Sequence, residues 1–337
     1  MNYITRAYRP GDEEKIIEMF NEVFHQNLDL SHWYWKYRDN PYGSYVISLA
    51  TTEDGVLAAH YAGYPVKLSC SLSPGSPPVE IMTYQLGDKM TRRTFRSVGF
   101  GRKALIARTY VNFKAAHMKN GIPFAYGFAA HHSFRFGVVI LNYADIEPVP
   151  YRRMPFDALK RLKTGRIRNL ISPIRVEEVS EIDDEWTDFF SSVAPFFGCL
   201  TKREALYLRW RYLQRPGRRY HIIAARRGSR LAGWSVFFRE QNRIIWGDAL
   251  CRPKDADCVK VLLAHLRRHQ VSDGAEFIEC WFPPRPLWFD AVLKELGFEI
   301  GNEPNGLHFV APIVIEPQSP EMLKKYFYYT MGDSDLF

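Results

Sequence analysis

The stretch FRSVGFGRKAL, Phe95–Leu105, places two glycines two positions apart just before a helical run. Glycine lets the backbone approach a ligand closely, and the first turn of a helix offers unpaired N–H groups and a partial positive charge. Arg96, Arg102 and Lys103 add positive charge to the same stretch. The pattern therefore predicts a loop that binds an anion, and a pyrophosphate suits such a loop.

Two common phosphate-binding motifs fit this loop less well. A nucleotide P-loop needs G-x-x-x-x-G-K-[ST], which the chain lacks. A dinucleotide fingerprint accepts Ala104 in place of its third glycine, but it follows the first strand of a βαβ unit. Here about four predicted strands precede the loop, which favours a different α/β arrangement.

Composition limits the classes of protein to consider. The 337 residues leave room for two domains, and 46% hydrophobic residues exclude a disordered chain. No apolar run reaches the ~18 residues of a membrane span, and the first residues form no apolar signal segment, so we expect a cytoplasmic protein without a membrane partner.

Charge and cysteines leave one alternative open. The net charge is +8, and nine arginines lie between Arg203 and Arg230. They suit either a solvated helix and hairpin or a surface for an anionic partner such as nucleic acid. The five cysteines form no CxxC pair, which predicts free buried thiols and no metal site.

The chain repeats itself once. WKYRDNPYGSY, Trp35–Tyr45, corresponds to WRYLQRPGRRY, Trp210–Tyr220, with tryptophan, tyrosine, proline and a second tyrosine all at an offset of 175. In each copy the predicted strands and helices follow in the same mixed order, which indicates an α/β (α+β) fold with a largely antiparallel start. We predict one domain over 1–150, a linker with a short basic helix over 151–172, a second domain over 173–315 and a tail over 316–337.

With these elements in place, the first copy resembles the GNAT superfamily of acyl-CoA-dependent N-acyltransferases. Arg96, Gly99 and Gly101 match its [RQ]-x-x-G-x-[GA] loop after the fourth strand. The resemblance implies two GNAT-like domains in tandem and acetyl-CoA as co-substrate. It also implies a coenzyme site made of Lys89, Met90, Thr91, Arg96, Ser97, Val98, Gly99, Phe100, Gly101, Arg102 and Lys103.

The second copy lacks this loop. Its equivalent stretch, DALCRPKDADCVKVLL, has no glycine and places Asp255 and Asp257 where phosphates would lie. Like charges there would repel the coenzyme. We therefore expect a degenerate second copy that shapes the acceptor pocket, and one active site per chain.

The catalytic groups are less clear from the sequence. By period two, Tyr84, Leu86, Asp88 and Met90 share one face of the fourth strand, which makes Asp88 a candidate general base or a strand anchor. The tyrosine that protonates the thiolate in many GNAT enzymes falls on Gly137, and an asparagine common in the family is here Ala130. Four substitutes lie nearby: Tyr126, Tyr143, His131 and His132. Of these, Tyr143 and His132 are candidate catalytic residues, and His131, with Tyr84, is a candidate substrate-binding residue. The alternative for the two histidines is a helix start that faces water.

The last residues, YFYYTMGDSDLF, resemble the ending of some bacterial GNAT proteins of sugar clusters. In a related tandem family a terminal carboxylate acts as base, so Phe337 is a further candidate, and a frayed tail is the alternative.

Three functions remain open. The first is acetyl transfer to a primary amine of a small molecule, for which an amino sugar is one candidate, without a nucleic-acid partner. The second is aminoacyl transfer from tRNA, as in peptidoglycan-bridge enzymes, and the third is a non-catalytic module that binds acyl-CoA.

Overall fold

The computed structural model describes residues 2–71, 77–161 and 174–337. Runs rich in apolar residues, separated by turn residues such as Asp54-Gly55, give strands that are buried on both faces, and acidic first turns open several helices. The elements of the first half are β1 (Tyr3–Ala7), α1 (Glu13–Phe24), α2 (Leu30–Trp33), β2 (Val46–Thr52), β3 (Leu57–Cys70), β4 (Val79–Thr91), α3 (Leu105–Lys119), β5 (Phe124–Ala130), α4 (His131–Leu141), β6 (Ala144–Pro148) and β7 (Tyr151–Pro155).

The second half has the same kinds of element in a similar order. They are β8 (Ile174–Val179), α5 (Asp184–Val193), β9 (Cys199–Thr201), α6 (Ala205–Leu208), β10 (His221–Arg227), β11 (Arg230–Glu240), β12 (Arg243–Cys251), α7 (Asp257–Leu266), β13 (Phe277–Trp281), α8 (Leu287–Glu295), β14 (Ile300–Gly301), β15 (Leu307–Val314), α9 (Pro320–Tyr326) and β16 (Phe327–Tyr328). The predicted mixed, mostly antiparallel α/β fold is confirmed.

Each sheet contains an interior strand from the other half of the chain. The first sheet has the order β1-β2-β3-β4-β5-β15-β6, with β9 paired to β3 and β16 paired to β9, and the second has the order β14-β7-β13-β12-β11-β10-β8. Thus β15, from the second half, lies between β5 and β6, whereas β7, from the first half, lies between β13 and β14. The residues 151–155, which the sequence assigns to a linker, therefore form a strand of the second sheet.

The rest of the predicted linker is only partly described. Phe156–Arg161 form a 3-10 turn, and the remainder of the expected basic helix lies outside the described residues. No helix in the described part of the chain is long and apolar enough to cross a bilayer.

The sequence repeat is visible as an approximate twofold relation between the halves. After α2 and α6 the chain forms matching π-helical turns, Tyr34–Arg38 and Arg209–Leu213. Trp35 Nε1 donates to the main-chain oxygen of Trp210 at 2.7 Å, and Trp210 Nε1 donates to that of Trp35 at 2.8 Å. Their rings stack with centroids 5.1 Å apart. Because each tryptophan makes the other's contact, the local axis relating the halves passes between them.

One prediction about cysteines is wrong. Cys70 and Cys199 are opposite each other on β3 and β9, and their sulfurs are bonded at 2.13 Å, so they form a disulfide between the halves. The sequence spacing of 129 residues gave no hint of this, since only the strand pairing brings the two together. Cys251, Cys258 and Cys280 are free and buried, as expected.

Candidate active site

A cleft opens where β4 and β5 separate. The two strands pair in parallel at Tyr84 with Ala125 and at Gln85 with Tyr126, and they diverge beyond these pairs. A cavity of about 160 Å³ lies in the gap. Its walls include the stretch from Leu86 to Lys89 on β4 and that from Gly127 to Ala129 on β5. We call this cavity the β4–β5 slot.

A β-bulge shapes the β4 side of the slot. Tyr61 on β3 lies opposite two residues, Asp88 and Lys89, and Asp88 has a positive φ of 54°. Such a bulge reverses the alternation of side chains beyond it. The predicted shared face is therefore wrong: the Tyr84 ring packs on Phe113 of α3, whereas Asp88 contacts the turn after α2 on the other side of the sheet.

The carboxylate of Asp88 is fully engaged. Lys36 Nζ and the Tyr37 hydroxyl each donate to it at 2.6 Å, and His60 Nδ1 donates to its main-chain oxygen at 2.7 Å. Burial raises the pKa of Asp88, but the charge of Lys36, the nearby His60 and the hydrogen bonds from Lys36 and Tyr37 together hold that pKa below its ordinary value. Burial lowers the pKa of Lys36, and the charges of Asp88 and Asp335 raise it to above its ordinary value. The group is thus an ionised, buried pair.

Lys89 faces the slot without a carboxylate partner among the described residues. Its Nζ donates to the main-chain oxygen of Ser133 at 3.4 Å and lies 5.4 Å from the centre of the Tyr143 ring. Burial lowers the pKa of Lys89 to about 8. Its side chain can therefore hold or release a proton close to neutral pH.

Tyr143 takes the space beside Gly137. A Cβ atom added at Gly137 would lie 2.5 Å from the Tyr143 ring, so the ring occupies the room that a larger residue at 137 would need. The hydroxyls of Tyr143 and Tyr61 share a hydrogen bond. Burial raises the pKa of Tyr143 well above its ordinary value, so the phenol stays protonated at neutral pH.

The glycine loop lies between β4 and α3. Gly99 and Gly101 have φ angles of 72° and 56°, which a side chain would strain. A Cβ at Gly99 would lie 2.3 Å from the main-chain oxygen of Lys103. The N–H groups of Gly99, Phe100 and Gly101 have no acceptor in the described protein. Three consecutive free N–H groups near the start of α3 make this loop a suitable anion site.

The basic residues around the loop divide into two sets. Arg92 donates to Glu18 at 2.7 Å and also pairs with Glu22, both on α1. Arg96 Nε donates to the main-chain oxygen of Thr91 at 3.2 Å. Arg93, Arg102 and Lys103 are exposed and make no ion pair within the described ranges, so they are available to a phosphate.

The other sequence-predicted residues lie at different depths. Met90 is buried in the main core, Val98 packs from the loop against a separate small cluster that includes Ala58 and Leu105, and Ser97 is exposed. His131 and His132 are exposed at the first turn of α4.

Tyr84 lies away from the cleft. Its hydroxyl donates to the main-chain oxygen of Ser44 at 3.2 Å and accepts from Asn120 at 2.9 Å. Tyr84 does not line the β4–β5 slot, and its position is that of a core residue.

A second and larger cavity of about 390 Å³ opens on the other side of β4. It shares Phe24, Asp88, Asp335 and Leu336 with the β4–β5 slot, so the two cavities meet at these residues. Its remaining lining consists of Phe20, Gln26, Leu28, His32, Lys36, Arg215, Pro216, Gly217 and Arg218. We call it the tail cavity, because the end of the chain forms one wall.

The sequence did not single out two residues of this site, Lys36 and Asp335. Lys36 Nζ lies 3.2 Å from Asp335, whose side chain is 26% exposed. The alternative of a frayed tail is wrong: Phe337 is only 4% exposed, and its main-chain oxygen accepts from Arg211 at 2.7 Å and also from Arg215. The tail motif was the signal available, but it suggested Phe337 rather than Asp335.

The equivalent cleft of the second copy is filled by the same tail. Asp248 accepts from the Tyr212 hydroxyl at 2.7 Å, as Asp88 does from Tyr37. A Cβ at Gly247, the counterpart of Gly87, would lie 1.8 Å from the Phe337 ring. The chain itself therefore occupies the position where the first copy has an open slot.

In the second copy, internal ion pairs occupy the stretch that corresponds to the glycine loop of the first copy. Asp255 pairs with Arg227 and Arg230, and Asp257 pairs with Arg227. Arg203 pairs with Asp248 and Asp333, and Arg226 with two glutamates. Four of the nine arginines between Arg203 and Arg230 are thus neutralised by carboxylates within the described protein.

One cluster has the residue types of a metal site. The ligand atoms of Glu178, His221 and His269 lie within 4.8 Å of one another. Glu178 accepts from His221 at 2.8 Å and from His269 at 3.1 Å, so hydrogen bonds already account for the cluster.

Comparisons with known proteins give similarity of fold alone. No family model matches the chain, and no curated protein does. A probable N-acyltransferase from Enterococcus faecalis is 12% identical over 94% of this chain and 73% of its own, with a TM-score of 0.68. A tandem GNAT protein from the clavulanic acid biosynthesis pathway is 11% identical over 92% of this chain and 97% of its own, with a TM-score of 0.59.

N-myristoyltransferase of Saccharomyces cerevisiae, solved with bound myristoyl-CoA, is 11% identical over 92% of this chain and 82% of its own, with a TM-score of 0.58. The two sheets, each with a pair of parallel strands, are consistent with these similarities of fold. The chain has the GNAT fold, in two tandem copies.

Proposed function

We propose that the protein is an acyl-CoA-dependent N-acyltransferase with one active site, in the first copy. The observation that carries this proposal is the open β4–β5 slot with a glycine loop at the end of β4, since the second copy has neither. Gly99–Lys103 would hold the pyrophosphate through main-chain N–H groups. Arg102 and Lys103 would add charge to that site.

When bound, acyl-CoA supplies an activated acyl group and a thiolate leaving group. Lys89 provides a proton at Nζ for that thiolate, because a pKa of about 8 lies close to the ~8.5 of a thiol. Tyr143 supports Lys89 by filling the slot wall beside it and keeping water out. His132, which is exposed and precedes the slot-lining Ser133, is a further candidate to move a proton.

Asp88 acts mainly as an anchor, and Asp335 is the better candidate base. The carboxylate of Asp88 is occupied by Lys36 and Tyr37, whereas Asp335 is partly exposed where the two cavities meet. Asp335 can accept a proton from an amine that enters through the tail cavity.

Finer assignments follow from the sizes of the cavities. The small β4–β5 slot favours a short acyl group, so acetyl-CoA is the proposed donor. The tail cavity suits a small primary amine as acceptor, with an amino sugar among the candidates. A cytoplasmic location and independence of nucleic acid complete the proposal.

Calorimetric titration with acetyl-CoA tests the coenzyme site. Gly99→Ala puts a Cβ 2.3 Å from the main-chain oxygen of Lys103 and should weaken binding at least 10-fold. Gly121→Ala is the matched control, because Gly121 also has a positive φ of 66° but has open space around it. Equal affinities for acetyl-CoA in both variants, or no binding by the parent protein, would contradict the proposal.

Two other functions are outcomes of the same experiment. Binding of acetyl-CoA without thiol release across a panel of amines would indicate a non-catalytic module. Binding of charged tRNA instead of acetyl-CoA would indicate aminoacyl transfer, although the internal ion pairs of Arg203, Arg226, Arg227 and Arg230 weaken the argument from charge.

A further inference from the structure

The charges that line the tail cavity do not cancel. Lys36, Arg215 and Arg218 contribute three positive charges, and Asp88 and Asp335 contribute two negative ones. His32 is uncharged at neutral pH, because burial first and then Lys36 lower its pKa to about 4. The side chains that line the cavity therefore carry a net formal charge of +1 and complement a ligand with one negative charge.

Arg215 and Arg218 differ from their neighbours in the arginine-rich stretch. Neither has an aspartate or glutamate within ion-pair distance in the described protein, whereas Arg203, Arg226 and Arg227 each do. Each is only half-buried, and each has N–H groups left over. Arg215 uses one nitrogen for Tyr220 and Phe337, and Arg218 uses one for Leu336.

These contacts also fix where the two arginines lie relative to Asp335. Arg218 donates to the main-chain oxygen of Leu336 at 3.3 Å, and Arg215 donates to that of Phe337. Leu336 and Phe337 directly follow Asp335, and two residues span at most about 7 Å of chain. The Asp335 carboxylate and two guanidinium groups with free donors thus lie close together in the lining of the cavity.

We propose that the acceptor is a primary amine that also carries a carboxylate, as an amino acid does. Arg215 and Arg218 would bind its carboxylate, since guanidinium groups pair with planar anions in a fork geometry. Asp335 would face its amine at the mouth of the β4–β5 slot. Phe20, Phe24 and Leu28 form an apolar wall that suits an apolar side chain. This inference rests on the proposed function and narrows its substrate class.

The test pairs each acceptor with the amine that lacks its carboxylate. Leucine, phenylalanine and lysine are compared with isoamylamine, phenethylamine and cadaverine, and glucosamine is added as an uncharged-ring amine. Thiol release from acetyl-CoA measures kcat/KM. We expect at least one amino acid to exceed its decarboxylated partner by roughly 10- to 100-fold, the usual effect of a hydrogen bond to a charged group. Equal rates within every pair, or a preference for glucosamine, would overturn the inference.

Variants locate the effect in the cavity. Arg218→Gln should raise KM for the amino acid roughly 10-fold or more and leave KM for acetyl-CoA unchanged. Arg219→Gln is the matched control, because Arg219 is exposed and does not line the tail cavity. Identical KM values in the two variants would refute the role of Arg218.

Failure of the inference can be told apart from failure of the proposed function. One outcome refutes the carboxylate site alone: acetyl-CoA binds in the titration, but no amino acid is acetylated and calorimetry shows no amino acid binding to the acetyl-CoA complex. No binding of acetyl-CoA refutes the proposed function itself.

Discussion

Replacing Asp88 by asparagine separates its two possible roles. Asparagine keeps an acceptor for the Tyr37 hydroxyl, but it removes the negative charge 2.6 Å from Lys36 Nζ. The side chains of Lys36 and Asp88 are almost inaccessible, at 3% and 7% exposed. In the variant, Lys36 would therefore keep a buried charge, with Asp335 as its remaining carboxylate partner among the described residues. Breaking a buried pair in this way typically costs about 3–5 kcal/mol, and we expect the lower value because asparagine still accepts.

That free energy converts into a measurable shift. The entropy of unfolding at the midpoint is about 2.1 cal/mol/K per residue, or about 0.7 kcal/mol/K for a chain of this size. A loss of about 3 kcal/mol would thus lower Tm by about 4 °C, as read by differential scanning calorimetry. Adding Lys36→Met should recover part of the loss, because it removes the unpaired charge.

The assay compares stability with turnover. If Asp88 is an anchor, Asp88→Asn loses stability and kcat falls less than about 10-fold, whereas loss of a general base costs about 10²–10⁴-fold. Asp248→Asn is the matched control, since the second copy repeats the contact with Tyr212, and it should destabilise without changing affinity for acetyl-CoA. An unchanged Tm with a collapse of kcat in Asp88→Asn would refute the anchor role.

Three further predictions concern the slot and the tail. In the folded protein Lys89 has a pKa of about 8, below its ordinary value, so the stability of the wild type should rise between pH 8 and 10.5 as the buried charge is lost. Lys89→Met should be more stable than the wild type at pH 7 and should gain less stability at pH 10. Its rate should not fall above pH 8 as that of the wild type does, and identical pH profiles of rate would contradict the role of Lys89 as acid. Phe337→Ala should lower the free energy of unfolding by about 3 kcal/mol, as measured by chemical denaturation. It should also lower kcat by misplacing Asp335, while acetyl-CoA still binds. An unchanged kcat would contradict the role of Asp335 as base. Gly137→Tyr should prevent folding, because the new side chain clashes with the Tyr143 ring, and thermal melting should then show no cooperative transition. Adding Tyr143→Ala should restore folding. A stable single variant would show that the ring moves aside.

Local patterns in the sequence predicted the part of the site that short segments determine. The loop at Gly99 and Gly101 is set by backbone conformations that glycine alone adopts easily, and both φ angles are positive as that argument requires. The repeat at Trp35 and Trp210 was visible because residues at a packed symmetric contact must be retained in both copies.

Features that depend on contacts between segments far apart in the sequence could not be predicted from local patterns. One extra residue opposite Tyr61 turned Asp88 away from the face that strict alternation assigns to it, and a bulge of this kind has no reliable sequence signal. The disulfide of Cys70 and the place of Asp335 both depend on which segment packs against which over more than a hundred residues. Periodicity within a segment carries no information about such partners.

The exchange of β7 and β15 makes each half depend on the other for a complete sheet. A half expressed by itself would lack an interior strand and would expose two unsatisfied rows of main-chain groups to aggregation. Loss of the second half would therefore open the sheet that carries the glycine loop. Under the proposed function, the half without a coenzyme site is needed to keep the other half folded.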